Sequence, residues 1–169
     1  MTIAMTHALA LLECYRTALE AEAETTPGTI CLRHGEEVFP SLGTRVDECC
    51  SGIAWVRIVS VEGLRTREDV AARCLRTERV ITLEMGIARC LSFGTIQAPI
   101  TCDQWTEIAL QQDLDHDAME AALCCAFPEL SADNFFPVRA GTYEPTGPDG
   151  NCIGATMQVI LEADCGCTS

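Results

Sequence analysis

Twelve cysteines in 169 residues constrain this chain more than any other feature of its sequence, because no two of them stand in C-x-x-C spacing. Zinc ribbons, RING-like modules and thioredoxin-type sites place two thiolates two residues apart, so that one turn directs both at a single metal or partner sulfur. This chain instead has the adjacent pairs Cys49-Cys50 and Cys124-Cys125. The open alternatives are disulfides, buried thiols that pack as small apolar residues, and a metal site assembled from distant segments.

Neighbouring side chains point in different directions, so at most one cysteine of each adjacent pair should face a given partner. We therefore expect a disulfide from each pair to a different segment of the chain. The disulfide candidates are Cys49, Cys50, Cys90, Cys124, Cys125 and Cys152.

The length and the 48% hydrophobic content predict a single domain over residues 1–169. No run approaches the ~20 apolar residues of a membrane span. The N-terminal apolar run at residues 8–12 is broken by Glu13 and follows no basic residue, which is not the pattern of a signal peptide. We expect folding in a cytoplasm, although the cysteine content is typical of an oxidising exterior. A virion component meets both environments in turn.

The formal net charge is −14, and all eleven basic residues are arginines. This balance disfavours general binding to DNA or to anionic membranes, since neutralising phosphates requires a basic surface. An acidic wall would nevertheless suit a conduit through which DNA slides without sticking. The absence of lysine is explained most simply by a coding bias toward GC-rich codons.

Hydrophobic periodicity predicts an α+β fold, with a mixed or antiparallel sheet of four or five strands packed against two main helices. The helices are expected at residues 6–24, capped by Thr6, and 102–126, ended by Pro128. The remaining expected segments are strands at 54–61, 80–90, 138–144 and 155–163, an irregular or short-strand stretch at 29–43, a polar connection at 63–79 and a turn-rich connection at 145–150.

Residues 113–117 imitate the opening of a calcium loop, with alternating Asp113, Asp115 and Asp117. An EF-hand would then require glycine at its sixth position and glutamate at its twelfth, where this chain has Ala118 and Cys124. We predict a solvated helix face there.

The three histidines, His7, His34 and His116, stand in no metal-binding motif. Cys102, near the start of the second helix, is the one cysteine for which a helix dipole would favour reactivity, and burial is the preferred interpretation even there. The sequence contains no nucleophile elbow, phosphate loop or dinucleotide fingerprint. We predict no catalytic, cofactor-binding or metal-binding residue, and no enzyme. A cysteine-rich metal-binding protein and a thiol-dependent enzyme remain the alternatives from other classes.

Four segments resemble the head-to-tail connector proteins of long-tailed bacteriophages that infect actinobacteria, and in particular their tail terminators. The most specific is the strand in which vicinal cysteines precede a tryptophan. The segments are residues 49–61 (CCSGIAWVRIVSV), 83–90 (LEMGIARC), 121–125 (AALCC) and 143–154 (YEPTGPDGNCIG). Together they span most of residues 49–161.

The resemblance implies a structural protein of the virion neck, assembled in the host cytoplasm, that forms a homo-oligomeric ring, usually a hexamer. Such a ring caps the tail tube and joins it to the head-completion or stopper protein, and DNA passes through its lumen without specific binding. Another neck role, as an adaptor or stopper, is the alternative. Loop length then makes the connections at residues 63–79 and 143–154 the candidates for contacts between rings, with Arg65, Arg67, Arg73, Tyr143 and Asp149 as interface candidates.

Overall fold

A computed structural model describes residues 2–22, 26–35, 52–65, 77–91, 99–132, 138–149 and 152–165. These residues form two helices and one five-stranded mixed sheet, which confirms the predicted α+β class. In chain order the elements are α1 (Ile3–Glu22), β1 (Thr29–His34), β2 (Ile53–Arg65), β3 (Thr77–Cys90), α2 (Cys102–Ala132), β4 (Arg139–Asp149) and β5 (Cys152–Cys165).

The strands are arranged in the order β1-β2-β3-β5-β4. β1 runs parallel to β2, and the other three neighbouring pairs are antiparallel. β5 therefore lies inside the sheet, between β3 and β4, although it is the last strand in the sequence. β3 pairs along its whole length with β5, from Thr77 opposite Cys165 to Cys90 opposite Cys152.

One face of the sheet packs against both helices and forms the main hydrophobic core. Alternation along the strands creates this face, because every second side chain of a strand points the same way. In β3 these side chains are Ile81, Leu83, Met85 and Ile87, all fully buried. Their partners are Ala54, Val56 and Ile58 of β2 and Ala155, Met157, Val159 and Leu161 of β5.

α1 presents Leu11, Tyr15 and Leu19 to this core, each with no solvent-accessible surface. The helix begins four residues earlier than an N-cap at Thr6 would allow. Thr2 performs that role, since its hydroxyl oxygen accepts a hydrogen bond from the backbone N–H of Met5 at 3.4 Å. The side chain of Thr6 instead donates to the carbonyl of Thr2. The prediction of Thr6 as the cap was wrong.

α2 begins with a capping box, in which Thr101 and Gln104 exchange hydrogen bonds between side chain and backbone at 2.9 and 3.3 Å. Pro128 was predicted to end the helix, and this prediction was wrong, because the helix runs on to Ala132. A proline disturbs the turn that precedes it, because it lacks an N–H and crowds the carbonyl four residues back. The backbone that follows it can remain helical.

The strands are longer than periodicity predicted. The expected connection at residues 145–150 is largely strand, since β4 continues through Pro145 to Asp149, with register irregularities on either side of the paired segment at 143–146. Proline is tolerated there because β4 is an edge strand, in which alternate N–H groups face away from the ladder. Among the described residues, no helix is long and apolar enough to cross a membrane.

Candidate interaction surface

The sheet continues beyond its own hydrophobic core. Among the side chains that the structure describes, the last fully buried ones at this end are Ile81 and Leu161, and the strand ladder runs on for four more rows, to Arg65 opposite Thr77 and Thr77 opposite Cys165. We call this part, residues 62–65, 77–80 and 162–165, the sheet extension. Glu62, Gly63 and Arg79 in it are exposed. Val80 and Glu162 are half-buried. A short three-stranded ribbon gains little stability of its own, so the sheet extension is a candidate for contact with another molecule.

One face of the sheet extension is acidic by register. Glu62 and Glu162 occupy the positions on either side of Val80, and two rows further on Asp164 is the register partner of Glu78. Opposite positions of neighbouring strands share a face, as do positions two apart along a strand. Glu62 and Glu162 therefore lie on the face that also carries Glu84, away from the helices. Like charges placed opposite one another destabilise a ladder unless another charge compensates them.

Three interface candidates belong to the predicted connection at residues 63–79. The structure places Arg65 at the end of β2, in the last row of the sheet extension. Arg67 and Arg73 lie outside the described residues. The connection is thus shorter than predicted, because its two ends are paired strand.

Tyr143, another interface candidate, is engaged within the protein. Its hydroxyl donates a 2.6 Å hydrogen bond to the carbonyl of Gln112 in α2, and its ring lies 4.4 Å from the ring of His116. The Gln112 amide donates in turn to the carbonyls of Thr146 and Gly154, both at 3.0 Å. These contacts hold β4 against α2. Burial raises the pKa of Tyr143 to about 12, and the nearby carboxyls of α2 add to the rise.

Asp149 ends β4, opposite Cys152 of β5. It is therefore the last described residue of β4 before the connection to β5. Its role in contacts between rings stays a prediction.

The acidic run at residues 113–117 was predicted to be a solvated helix face, and this prediction was wrong for Asp115. Asp115 is 2% exposed and forms an ion pair with Arg89 of β3, with a distance of 2.9 Å between Nη2 and Oδ1. Burial raises the pKa of Asp115 although Arg89 and Gln111 lower it. The sequence did contain a signal for this contact, because Asp115 shares the helical period of the buried Ile108, Met119 and Ala122.

A second ion pair lies on the opposite face of the sheet. Arg57 of β2 contacts both carboxylate oxygens of Glu84 in β3, at 2.7 and 2.6 Å, and the indole N–H of Trp55 donates to the same carboxylate at 3.2 Å. Gly86 lies directly opposite Trp55 in the register. Charged residues at the centre of otherwise apolar strands were the signal for this pair, which sequence reasoning missed.

Among the disulfide candidates, Cys125 of α2 is bonded to Cys14 of α1, with 5.7 Å between their Cα atoms. Cys124 was also a candidate but is an exposed free thiol, because it leaves the helix in a different direction from Cys125. Cys14 was not anticipated as the partner. Cys90 of β3 and Cys152 of β5 are disulfide-bonded cysteines as well. Cys49 and Cys50 lie outside the described residues.

The structure exposes Cys102, which was expected to be buried, as a free thiol in the first turn of α2. Its position before the first buried residue of the helix, Ile108, explains the exposure. Within the described ranges, no three histidine, cysteine, aspartate or glutamate side chains are grouped so that they could hold a metal ion.

No protein-family model matches the chain, and no curated protein matches its sequence significantly.

Proposed function

We propose that this protein is a structural subunit of the neck of a long-tailed bacteriophage, where it forms a ring that caps the tail tube and joins it to the head-completion proteins. The observation that carries the proposal is the sheet extension, in which the strand ladder continues four rows beyond the last buried core side chains that the structure describes. A ring subunit requires such a surface, since it contacts unlike faces of its two neighbours.

The charge distribution supports the same role. The net charge of −14 disfavours adhesion to DNA, which has to pass through the lumen of the ring. Glu62 and Glu162 of the sheet extension would bind a basic patch on a neighbouring subunit or on a partner protein.

Charge reversal at Glu62 tests the sheet extension. In a phage that depends on the chain for tail joining, we expect Glu62→Arg to lower the yield of joined particles by roughly 100-fold, because like charges facing each other at an interface cost several kcal/mol. Glu20→Arg is the matched control, since Glu20 is exposed on α1, away from the sheet extension, and the change in net charge is identical. Its yield should stay close to that of the wild type.

Electron microscopy of the virion reads out the position of the protein. An antibody against the chain should label the neck, and particles made with Glu62→Arg should separate into filled heads and free tails. Labelling elsewhere on the virion, or none, would contradict the proposed role. Normal joining by Glu62→Arg would contradict the use of the sheet extension while leaving the location in the neck to be decided by the labelling.

A further inference from the structure

The bond between Cys14 of α1 and Cys125 of α2 connects two cysteines that are 111 residues apart in sequence. We propose that this bond is a redox clamp, a modification site at the α1–α2 contact that dithiols open and disulfides close while the protein stays folded. The inference is independent of the neck function, because it rests only on the surroundings of the two sulfur atoms.

The first support is accessibility. Cys125 is exposed and Cys14 is half-buried, so a small dithiol can approach the bond from the side of α2. Cys152, by contrast, is 3% exposed. Because thiol–disulfide exchange requires a thiolate to reach the sulfur in line with the bond, the α1–α2 bond should react before a buried one.

The second support is that α1 is held in place without the bond. Its fully buried Leu11, Tyr15 and Leu19 belong to the main core, and the Tyr15 hydroxyl donates to the carbonyl of Gly86 in β3 at 3.4 Å. The sheet is joined by its own ladder of backbone hydrogen bonds. Opening the clamp therefore removes a restraint on the unfolded chain and leaves the packing of the folded one.

The chemistry balances with a dithiol as the only co-reactant. One thiolate of the dithiol attacks Sγ of Cys125, which forms a mixed disulfide and releases Cys14 as a thiolate that takes up a proton. The second thiol of the dithiol then loses its proton and attacks the mixed disulfide, which releases Cys125. Two electrons have passed to the protein, which now holds two thiols, and the dithiol leaves as a disulfide. Closure is the reverse reaction with that disulfide.

Cys124 supplies the control. It is exposed and free beside Cys125, but adjacent side chains of a helix diverge by about 100°, so it cannot bond to Cys125 while α2 is intact. Cys124→Ser should therefore leave the clamp unchanged, whereas Cys14→Ser abolishes it.

The test is differential alkylation of the folded, full-length protein over a series of dithiothreitol concentrations, read by mass spectrometry. We expect Cys14 and Cys125 to become alkylated together, at a concentration that leaves the buried Cys152 protected. At that concentration the thermal midpoint should fall by roughly 10 °C, from the loop-closure effect of a bond that spans more than 100 residues. Cys124→Ser should show the same fall, and Cys14→Ser none.

Three results would overturn the proposal. The first is alkylation of Cys14 and Cys125 without any reductant. The second is resistance of both to dithiothreitol until the protein is unfolded. The third is a thermal midpoint that stays unchanged when both are reduced. All three measurements need only the wild-type chain, so they decide the matter even if Cys14→Ser fails to fold.

Discussion

Gly86→Ala is the substitution whose effect the structure determines most directly. A Cβ atom at this position would overlap Cε2 and Cζ2 of the Trp55 indole and lie 2.6 Å from its Nε1. Trp55 is fully buried and cannot turn toward solvent without exposing its ring. The indole must therefore shift within a packed layer, and its hydrogen bond to Glu84 must lengthen or break.

The expected cost combines two contributions. Overpacking a closely packed site costs about 1–3 kcal/mol, and losing a hydrogen bond to a charged group costs about 1.5–3 kcal/mol. Replacing glycine by alanine in a strand returns up to about 1 kcal/mol through the lower entropy of the unfolded chain. We expect a net destabilisation of about 3 kcal/mol, or a fall of roughly 10 °C in the thermal midpoint.

Denaturant unfolding followed by circular dichroism measures this change in the free energy of unfolding. Gly147→Ala is the matched control, because nothing lies within 4 Å of a Cβ at that exposed position, and it should change stability by less than about 0.5 kcal/mol. In a Trp55→Phe background the smaller ring should reduce the cost of Gly86→Ala by more than half. A cost that is negligible, or the same in both backgrounds, would refute the reasoning.

Two further predictions concern buried polar groups. The folded protein should show no phenolate absorbance at 295 nm up to about pH 11, because burial raises the pKa of Tyr143 to about 12 and that of Tyr15 well above its ordinary value. Since both pKa shifts favour the neutral phenol, their contribution to stability is complete below pH 10 and is lost as the pH rises through the pKa values of the folded state. A titration midpoint near pH 10 for the phenols of the folded chain would contradict this. Asp115→Asn should cost about 3 kcal/mol in urea unfolding by leaving the charge of Arg89 buried without its counter-charge, whereas Arg89→Met/Asp115→Leu should recover more than half of it; equal losses in both variants would show that the ion pair is not the cause.

The sequence predicted the elements well and their ends poorly. Period-2 alternation located the strands, and the 3.6-residue period located the helices, because both patterns reflect burial on one face. The ends of α2 and β4 were predicted wrongly because each was set at a proline. The helix continues past Pro128, and at Pro145 the edge position of the strand removed the need for an N–H. The local sequence does not show whether the N–H group that a proline lacks would have had a hydrogen-bond partner.

Polar contacts between distant segments were harder to predict. Asp115 was placed in solvent because its neighbours in sequence are acidic, whereas its partner Arg89 lies 26 residues away on β3. The bond from Cys125 to Cys14 depends on how α1 and α2 pack, which no spacing within either helix specifies. The sheet extension likewise depends on the register between strands that are distant in sequence, which no local pattern specifies.

The position of β5 between β3 and β4 has a consequence for synthesis on the ribosome. Until residues 152–165 have emerged, β3 has a partner on one side only, and the apolar row that includes Leu83 and Met85 has no neighbour on the other. The nascent chain then carries an open, hydrophobic strand edge, of the kind that pairs with other chains. The most vulnerable moment for aggregation therefore comes before the last strand is translated, and slowing translation of that segment should lower the soluble yield.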